Sequence, residues 1–414
     1  MKICMVTSFF GRHSFGGDSV YVERLCHALL RRGHEVHIAY NSGAFSLVRG
    51  SQPERKYSPP QGIFVHDIGA GMRGKIAAFW NHQTGGAGLG FQALGALLKR
   101  HTFDVIHLHN VSLLGGRTLP LLLNEQTHCI KLVTAHDYWW ICPQNLFWKY
   151  GRRICEARDC TFCTLMSRRP PQLWRHRDWF NRALSTVDAV LFPSRYAMEL
   201  YRSRGFVHSK QFVLPGLLSA DWCTIPGADG ASQRSRRRPY FVCAGRLVIE
   251  KGFQAVIPLM RQMPDVDLRI AGSGPAEDRL RRQSRGLPNV RFEGLLDHDQ
   301  IRQLFRDARA IIMPSLFPET FGMVAAEAMS LNIPVIARNR GALPELVAAA
   351  SGGLLFDNEA QLADYMRRIA SDDSLFCKLS RAASAQIPLM WFEDAHREAY
   401  LGIIAELGIQ EVKS

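Results

Sequence analysis

The sequence predicts an α/β protein built from two doubly wound parallel-sheet domains, and three observations carry that prediction. Short apolar runs alternate with helix-period segments along the whole chain, the pattern of parallel sheets wound with helices. The pattern occurs twice, and a stretch bare of apolar periodicity separates the two occurrences. At 414 residues and 47% hydrophobic composition the chain also exceeds one ordinary core, since single cores rarely grow past about 250 to 300 residues.

In the first half, strands are expected near Ile3–Val6, Val36–Ala39, Asp104–Leu108, Ile130–Thr134, Ala189–Phe192 and Phe212–Leu214. The first run is apolar but stops at Gly11-Arg12-His13, so it reads as a buried strand rather than a leader. In the second half, strands are expected near Tyr240–Ala244, Asp267–Ile270, Val290–Phe292, Ala310–Met313 and Pro334–Ala337. Between the halves, Pro226 to Ser232 runs into Arg234-Ser235-Arg236-Arg237-Arg238, a polar flexible stretch. The expected limits are therefore 1–218 for the first domain, 219–238 for the linker and 239–390 for the second domain. Two such sheets would place the carboxyl ends of their strands around a shared central cleft.

Lys and Arg exceed Asp and Glu by 51 − 37 = 14. Such a surface attracts phosphates, nucleic acid or an anionic membrane face. The charge is spread widely and no nucleic-acid module is recognisable, so nucleic acid is not an expected partner. No uncharged apolar run approaches the roughly 18 residues of a membrane span. A cytoplasmic protein, soluble or peripheral at the membrane, is expected, and its ten cysteines then sit in a reducing compartment.

Met313 to Met329 reads as a strand end, a proline-containing loop and a helix beginning near Thr320 or Phe321. The first amides of a helix carry the positive end of its dipole and suit a diphosphate, and Gly322 lets the backbone come close. Glu319 and Glu327 either face the cleft, where carboxylates accept hydrogen bonds from sugar hydroxyls, or are solvated acids of a helix terminus. Upstream, Arg246 and Lys251 follow another strand within Cys243 to Gly252. They suit phosphate oxygens or are surface cations.

Nearer the start, Gly16-Gly17-Asp18 precedes a periodic helix, Val20 to Leu30, closed by Gly33. Paired glycines before a helix approach a phosphate or simply make a turn. Thr134-Ala135-His136-Asp137 ends a strand and puts His136 at a rim, and His109 follows another strand. A lone histidine is more often structural than catalytic.

Cys142, Cys155, Cys160 and Cys163 cluster after Tyr138-Trp139-Trp140-Ile141, in an insertion spanning about 138–166. Four thiolates hold a structural zinc, or they stand as reduced thiols. Ser167 to Phe180 interleaves cations with aromatics. Such a segment suits an anionic membrane surface, or it is a helix packing Leu173, Trp174 and Phe180 into the core.

Taken in order, these residues resemble glycosyltransferase family 4, retaining enzymes of the GT-B fold with two Rossmann-like domains. The resemblance rests on Gly245-Arg246 to Lys251-Gly252, Ala271-Gly272-Ser273-Gly274-Pro275, Val290 to Gly294, Pro314-Ser315, Glu319 with Glu327, Pro334-Val335 and Gly341 to Glu345. It implies that Arg246 and Lys251 hold a donor pyrophosphate, that Glu319 contacts the donor sugar and that Glu327 contacts the ribose. Phe321 and Gly322 belong to the same donor site. The resemblance also implies that the loop at Gly16 and Gly17 lies over the donor phosphates and that His136 contacts the sugar near the reaction centre.

The implied partners are a nucleotide diphosphate sugar and a lipid-linked glycan acceptor of envelope or exopolysaccharide synthesis. No catalytic metal is expected, and no Asp-x-Asp pair is placed to hold one. Trp391-Phe392 to Tyr400-Leu401 matches the family's closing helix, 391–414, which packs back on the first domain. The hinge, Val213-Leu214-Pro215-Gly216-Leu217, departs from the Asn-Gly of many relatives. Rival readings are a sugar-nucleotide epimerase of the same fold, a nucleic-acid binder, and a dehydrogenase. The last rests on Gly272-Ser273-Gly274, but the third glycine of its fingerprint is replaced by Glu277.

Overall fold

The computed structural model describes residues 1–411 apart from 15, 51–56, 87–89, 118, 120–122, 124, 125, 127, 176–178 and 223–237. Most of the expected linker, and His176, Arg177 and Asp178 of the basic aromatic segment, lie outside the described residues. The chain divides into two compact units. One comprises Met1–Tyr150, Glu156–Leu217 and Glu393–Ser414, the other Gly151–Cys155 and Leu218–Phe392.

The strands of the first unit are β1 (Lys2–Val6), β2 (Glu35–Tyr40), β3 (Ile63–Asp67), β4 (Val105–Leu108), β5 (Ile130–Thr134), β8 (Ala189–Phe192) and β9 (Gln211–Val213). Two-residue strands within the insertion, Trp148–Lys149 (β6) and Arg153–Ile154 (β7), complete the count up to β9. The main sheet runs β3-β2-β1-β4-β5-β8-β9, and its pairings are parallel. Its central strands are continuous apolar runs because helices cover both faces. Thus Ile3, Cys4, Met5 and Val6 are fully buried.

In chain order, α1 (Gly17–Leu30) joins β1 to β2, α2 (Ser42–Arg49) lies between β2 and β3, and α3 (Gly71–Thr84) succeeds β3. Helix α1 places Tyr21, Val22, Leu25 and Leu29 in a core shared with Tyr400, Ile404 and Leu407 of the C-terminal helix, Glu393–Glu411.

The second unit has β10 (Tyr240–Ala244), β11 (Asp267–Ala271), β12 (Val290–Gly294), β13 (Ala310–Met313), β14 (Val335–Arg338) and β15 (Gly353–Phe356). They form a parallel sheet in the order β12-β11-β10-β13-β14-β15. Numbered within the unit, that order is 3-2-1-4-5-6, the doubly wound arrangement of dinucleotide-binding folds. The first unit opens with the same order and adds one strand. In both, the winding reverses between the first and fourth strands, the place where ligands of such sheets bind.

Two strands of the main sheets were not expected from the sequence, β3 and β15, and both are sheet edges. Phe64 and Val65 of β3 face solvent, and β15 begins with a glycine, so neither shows a buried strand's pattern.

Candidate functional site

In the second unit the reversal point lies between β10 and β13, and a salt bridge spans it. The loop after β10 turns through Gly245 and a short 3-10 turn, Ile249–Lys251, which Gly252 ends with φ 78°. The loop after β13 carries Ser315 and Glu319. Lys251 Nζ donates to Glu319 Oε1 at 2.7 Å, and Ser315 Oγ donates to the same oxygen at 2.6 Å. The ammonium also lies 5.3 Å from the Phe317 ring centre. Lys251 and Glu319 side chains are 23% and 11% exposed, so the pair is only partly hydrated. Between the loops, Leu316 N donates to Glu250 O at 2.8 Å.

Glycines make that approach sterically feasible. A Cβ on Gly252 would overlap Pro314 O, one on Gly272 would overlap Gly245 O, and one on Gly341 would overlap the backbone of Glu319. Gly274 sits the same way against Leu247, with Ser273 O accepting from Leu247 N at 2.9 Å. Gly272-Ser273-Gly274 therefore packs backbone on backbone beside the β10 loop. That accounts for the two glycines without the dinucleotide fingerprint.

The helix expected from Thr320 or Phe321 is Met323–Ser330. Its start is set by Gly322, whose φ of 105° lies outside the helical region and which caps the helix without a side-chain hydrogen bond. Gly322 O accepts from Ala325 N at 2.9 Å and Ala326 N at 3.2 Å. Glu327 consequently sits about one turn into the helix, half-buried. Phe321 is buried edge-on against Trp391, centroids 5.6 Å apart. Arg246 is half exposed, its guanidinium 3.8 Å from Glu250.

The first unit is bridged at its own reversal point, between β1 and β4. Gly16, φ 88°, caps α1, which begins at Gly17. Asp18 Oδ2 accepts from Asn110 Nδ2, just past β4, at 2.7 Å, and Oδ1 accepts from Ser19 N at 2.9 Å. Beside it, His136 follows β5. His109 Nδ1 lies 2.9 Å from His136 Nε2, and His109 Nε2 lies 3.3 Å from Met5 Sδ.

A thioether sulfur only accepts, so the proton of His109 sits on Nε2 and its Nδ1 accepts. His136 then donates from Nε2 and carries its lone pair on Nδ1. Burial pulls the His136 imidazole down to about 3, and burial with the neighbouring rings holds His107 and His109 well below the usual range. All three are therefore neutral at pH 7.

Behind this pair, His107 bonds Thr134 Oγ1 at 2.8 Å and the Tyr400 hydroxyl at 3.1 Å. Tyr21 packs edge-on to His136 and bonds His396 Nε2 at 2.9 Å. Asp137 accepts from Trp139 N at 2.8 Å and Asn145 Nδ2 at 2.9 Å. Burial, with the Asp18 charge nearby, raises its carboxyl to about 7. Sequence reasoning missed Asn110, Tyr21 and His396. No local signal marks His396, because the chain returns to this unit only at its C-terminal helix.

Two further stretches singled out in the sequence are the cysteine-bearing insertion and the basic aromatic segment after it. Cys142 and Cys163 are buried, Cys155 and Cys160 half-buried, and Cys163 Sγ accepts from Tyr150 N at 3.5 Å. Among the described residues no group of three or more His, Cys, Asp or Glu is placed to hold a metal ion. In the basic aromatic segment, Trp179 and Phe180 are core residues. The Arg175 guanidinium lies 4.4, 4.9 and 5.0 Å from the ring centres of Trp139, Trp174 and Trp179. Burial brings it down to about 10. These residues form a cation–aromatic cage.

Two doubly wound units, each bridged where its winding reverses, make up the two Rossmann-like domains of the GT-B fold. A family profile described as Glycosyltransferase Family 4 matches residues 15–217, and one described as Glycosyl transferases group 1 matches residues 229–386. Both halves of the chain thus match glycosyltransferase profiles, the first half that of family 4.

A D-inositol 3-phosphate glycosyltransferase of Xylanimonas cellulosilytica is 25% identical over 91% of this chain and 88% of its own length. A GDP-mannose-dependent monoacylated alpha-(1-6)-phosphatidylinositol monomannoside mannosyltransferase of Corynebacterium glutamicum is 27% identical over 50% of this chain. The match spans 58% of that relative, and a match to the Arabidopsis thaliana sulfoquinovosyl transferase SQD2, 32% identical over 27% of this chain, spans 21% of it. Among solved structures, sucrose-phosphate synthase from Thermosynechococcus elongatus superposes with TM-score 0.74 at 21% identity, covering 99% of this chain and all of the other. Anabaena HepE in complex with UDP-glucose superposes with TM-score 0.68 at 16% identity, covering 98% and 100%.

Proposed function

We propose that the protein transfers a hexose, with retention of anomeric configuration, from a nucleoside diphosphate sugar to a hydroxyl of a lipid-linked glycan. The observation that carries this reading is the Lys251–Glu319 pair across the reversal point of the second unit. A cation and a hydroxyl acceptor stand together there, the carboxylate in the chain segment that leads to the Met323–Ser330 helix. The cation suits a diphosphate, and the carboxylate suits the hydroxyls of the attached sugar. The names of HepE with UDP-glucose and of the GDP-mannose-dependent, phosphatidylinositol-directed relative support the donor and acceptor classes.

In this mechanism the acceptor oxygen forms its bond to the anomeric carbon on the face from which the diphosphate leaves. The sugar–phosphate C–O bond breaks, and the acceptor proton passes to the departing phosphate oxygen. Lys251, Arg246 and the amides beginning the Met323–Ser330 helix take up the charge developing on the diphosphate. Preorganised donors of this kind are worth about 3 kcal/mol each. Glu319 accepts from a sugar hydroxyl and Glu327 from the ribose. His136, neutral, contacts a further sugar hydroxyl, and the Gly16-Gly17 loop approaches the phosphates. No step requires a divalent cation.

The test is a thermal-shift panel of UDP, GDP, ADP and nicotinamide dinucleotides with chelator present. Ligand at 100 times its dissociation constant stabilises by about 2.7 kcal/mol. Stabilisation by one diphosphate, then NMR of the product anomer with the matching donor, is the expected result. Stabilisation by a nicotinamide cofactor alone, or by nothing in the panel, overturns the reading. Conversion of the donor sugar without an acceptor assigns the site to an epimerase instead.

A further inference from the structure

Helix α3 packs the wrong way round for a globular protein. Its buried residues are the small ones, Gly74, Ala77 and Ala78, with Asn81. A Cβ on Gly74 would overlap Gly69 O, and one on Gly43 of α2 would overlap Lys75 N. Backbone therefore lies directly on backbone. The large apolar residues, Met72, Ile76, Phe79 and Trp80, point outward and are 49% to 69% exposed.

At about 100° per residue, those four span a sector about 100° wide, opposite the buried face. Lys75 flanks the sector on one side and Arg73 on the other. No acidic residue occurs anywhere between Asp67 and Asp104. An ordinary amphipathic helix turns such a stripe to the core. A stripe turned to water with a cationic rim is the signature of a helix lying in a membrane interface.

The surface continues beyond α3. Trp174 Nε1 donates to His82 O at 3.4 Å and Gln172 Nε2 to the same oxygen at 2.9 Å. That seats Leu173, 61% exposed, against the end of α3, and Arg168 and Arg169 lie exposed in the same segment.

We propose that this face of the first unit, α3 with Leu173, lies in the surface of an anionic phospholipid bilayer. A second copy of the chain is a poorer occupant. A two-fold contact through α3 would set Arg73 and Lys75 against their own copies, with no acid on the stripe to meet them. The proposal gives the lipid-linked acceptor of the sugar-transfer reading a place to be met, and in that purpose alone it rests on that reading. Its test uses neither donor nor acceptor, so the two stand or fall separately.

The full chain is sedimented with vesicles of phosphatidylcholine, with and without phosphatidylglycerol, and the bound fraction is compared with that of a Phe79→Glu/Trp80→Glu double variant. The wild type pellets with the phosphatidylglycerol vesicles and is released by salt. The double variant, unchanged in circular dichroism and melting temperature, loses about tenfold or more of its partitioning. Equal partitioning of the two proteins overturns the proposal. So does a wild type that stays in the supernatant with both vesicles, or Phe79-dependent self-association without lipid.

Discussion

Lys251→Ala separates what the Lys251–Glu319 pair does for the fold from what it does for the reaction. The bond is 2.7 Å long and its partners are mostly shielded from water, so it is worth about 1.5–3 kcal/mol as a charge-assisted hydrogen bond. Glu319 keeps its 2.6 Å bond from Ser315, which places the loss near the lower end. At about 2–4 °C per kcal/mol for a unit of this size, melting falls by about 3–8 °C. Removing a preorganised cation from the departing diphosphate costs about 3 kcal/mol of barrier, a factor of roughly 10² in kcat. Steady-state kinetics well below both melting temperatures keep the two effects apart. The expected result is kcat down about a hundredfold with the fold intact, and a diphosphate-induced thermal shift that is weakened or lost. A Lys251→Ala protein with wild-type kcat and an unchanged thermal shift would refute the donor-site reasoning.

The glycine closing the loop after β10 can be tested against an internal control. Gly252 and Gly286 share φ 78°, but a Cβ on Gly252 overlaps Pro314 O while one on Gly286 meets open space. Both Ala variants carry the left-handed strain of about 1–2 kcal/mol. Chemical denaturation should show Gly252→Ala weaker by about 1–3 kcal/mol more, and equal losses would contradict the overlap. The His136 tautomer depends on His109, so His109→Phe should lower kcat about tenfold or more with diphosphate binding retained. Nitrogen NMR should show the His136 proton no longer confined to Nε2. Asp137 has its carboxyl raised from 3.8 to about 7 in the fold. Its protonated form is favoured by folding, so the stability it contributes is complete below about pH 4 and is lost as pH rises through about 7. Wild-type stability measured against Asp137→Asn should therefore decline across that window, and a flat difference from pH 4 to 8 would remove the raised carboxyl from the account.

What could be read from the sequence divides along physical lines. The loops after β10 and β13 were legible because their residues are dictated by backbone touching backbone. Gly252 against Pro314, Gly272 against Gly245 and Gly341 against Glu319 leave no room for a substitute, so the spacing itself carries the information. The buried central strands were legible for a similar reason, since a strand covered on both faces has to be apolar throughout. Elements whose character depends on what covers them were not legible. Edge strand β3 half faces water. The Arg and Trp residues of 174–180 look like a solvated basic surface until Trp139 arrives from elsewhere to close a cage over Arg175.

Helix α3 shows the converse. A periodic reading assigns Met72, Ile76, Phe79 and Trp80 to a core, because large apolar residues at helical spacing usually face one. Here the Gly-Ala face packs so closely on α2 and Gly69 that the large residues have only solvent, or something that replaces it, to meet. The decisive fact is the size of the residues on the opposite face, which hydrophobic periodicity does not weigh. An apolar stripe opposite a run of glycine and alanine is therefore better read as a surface waiting for a partner than as a core.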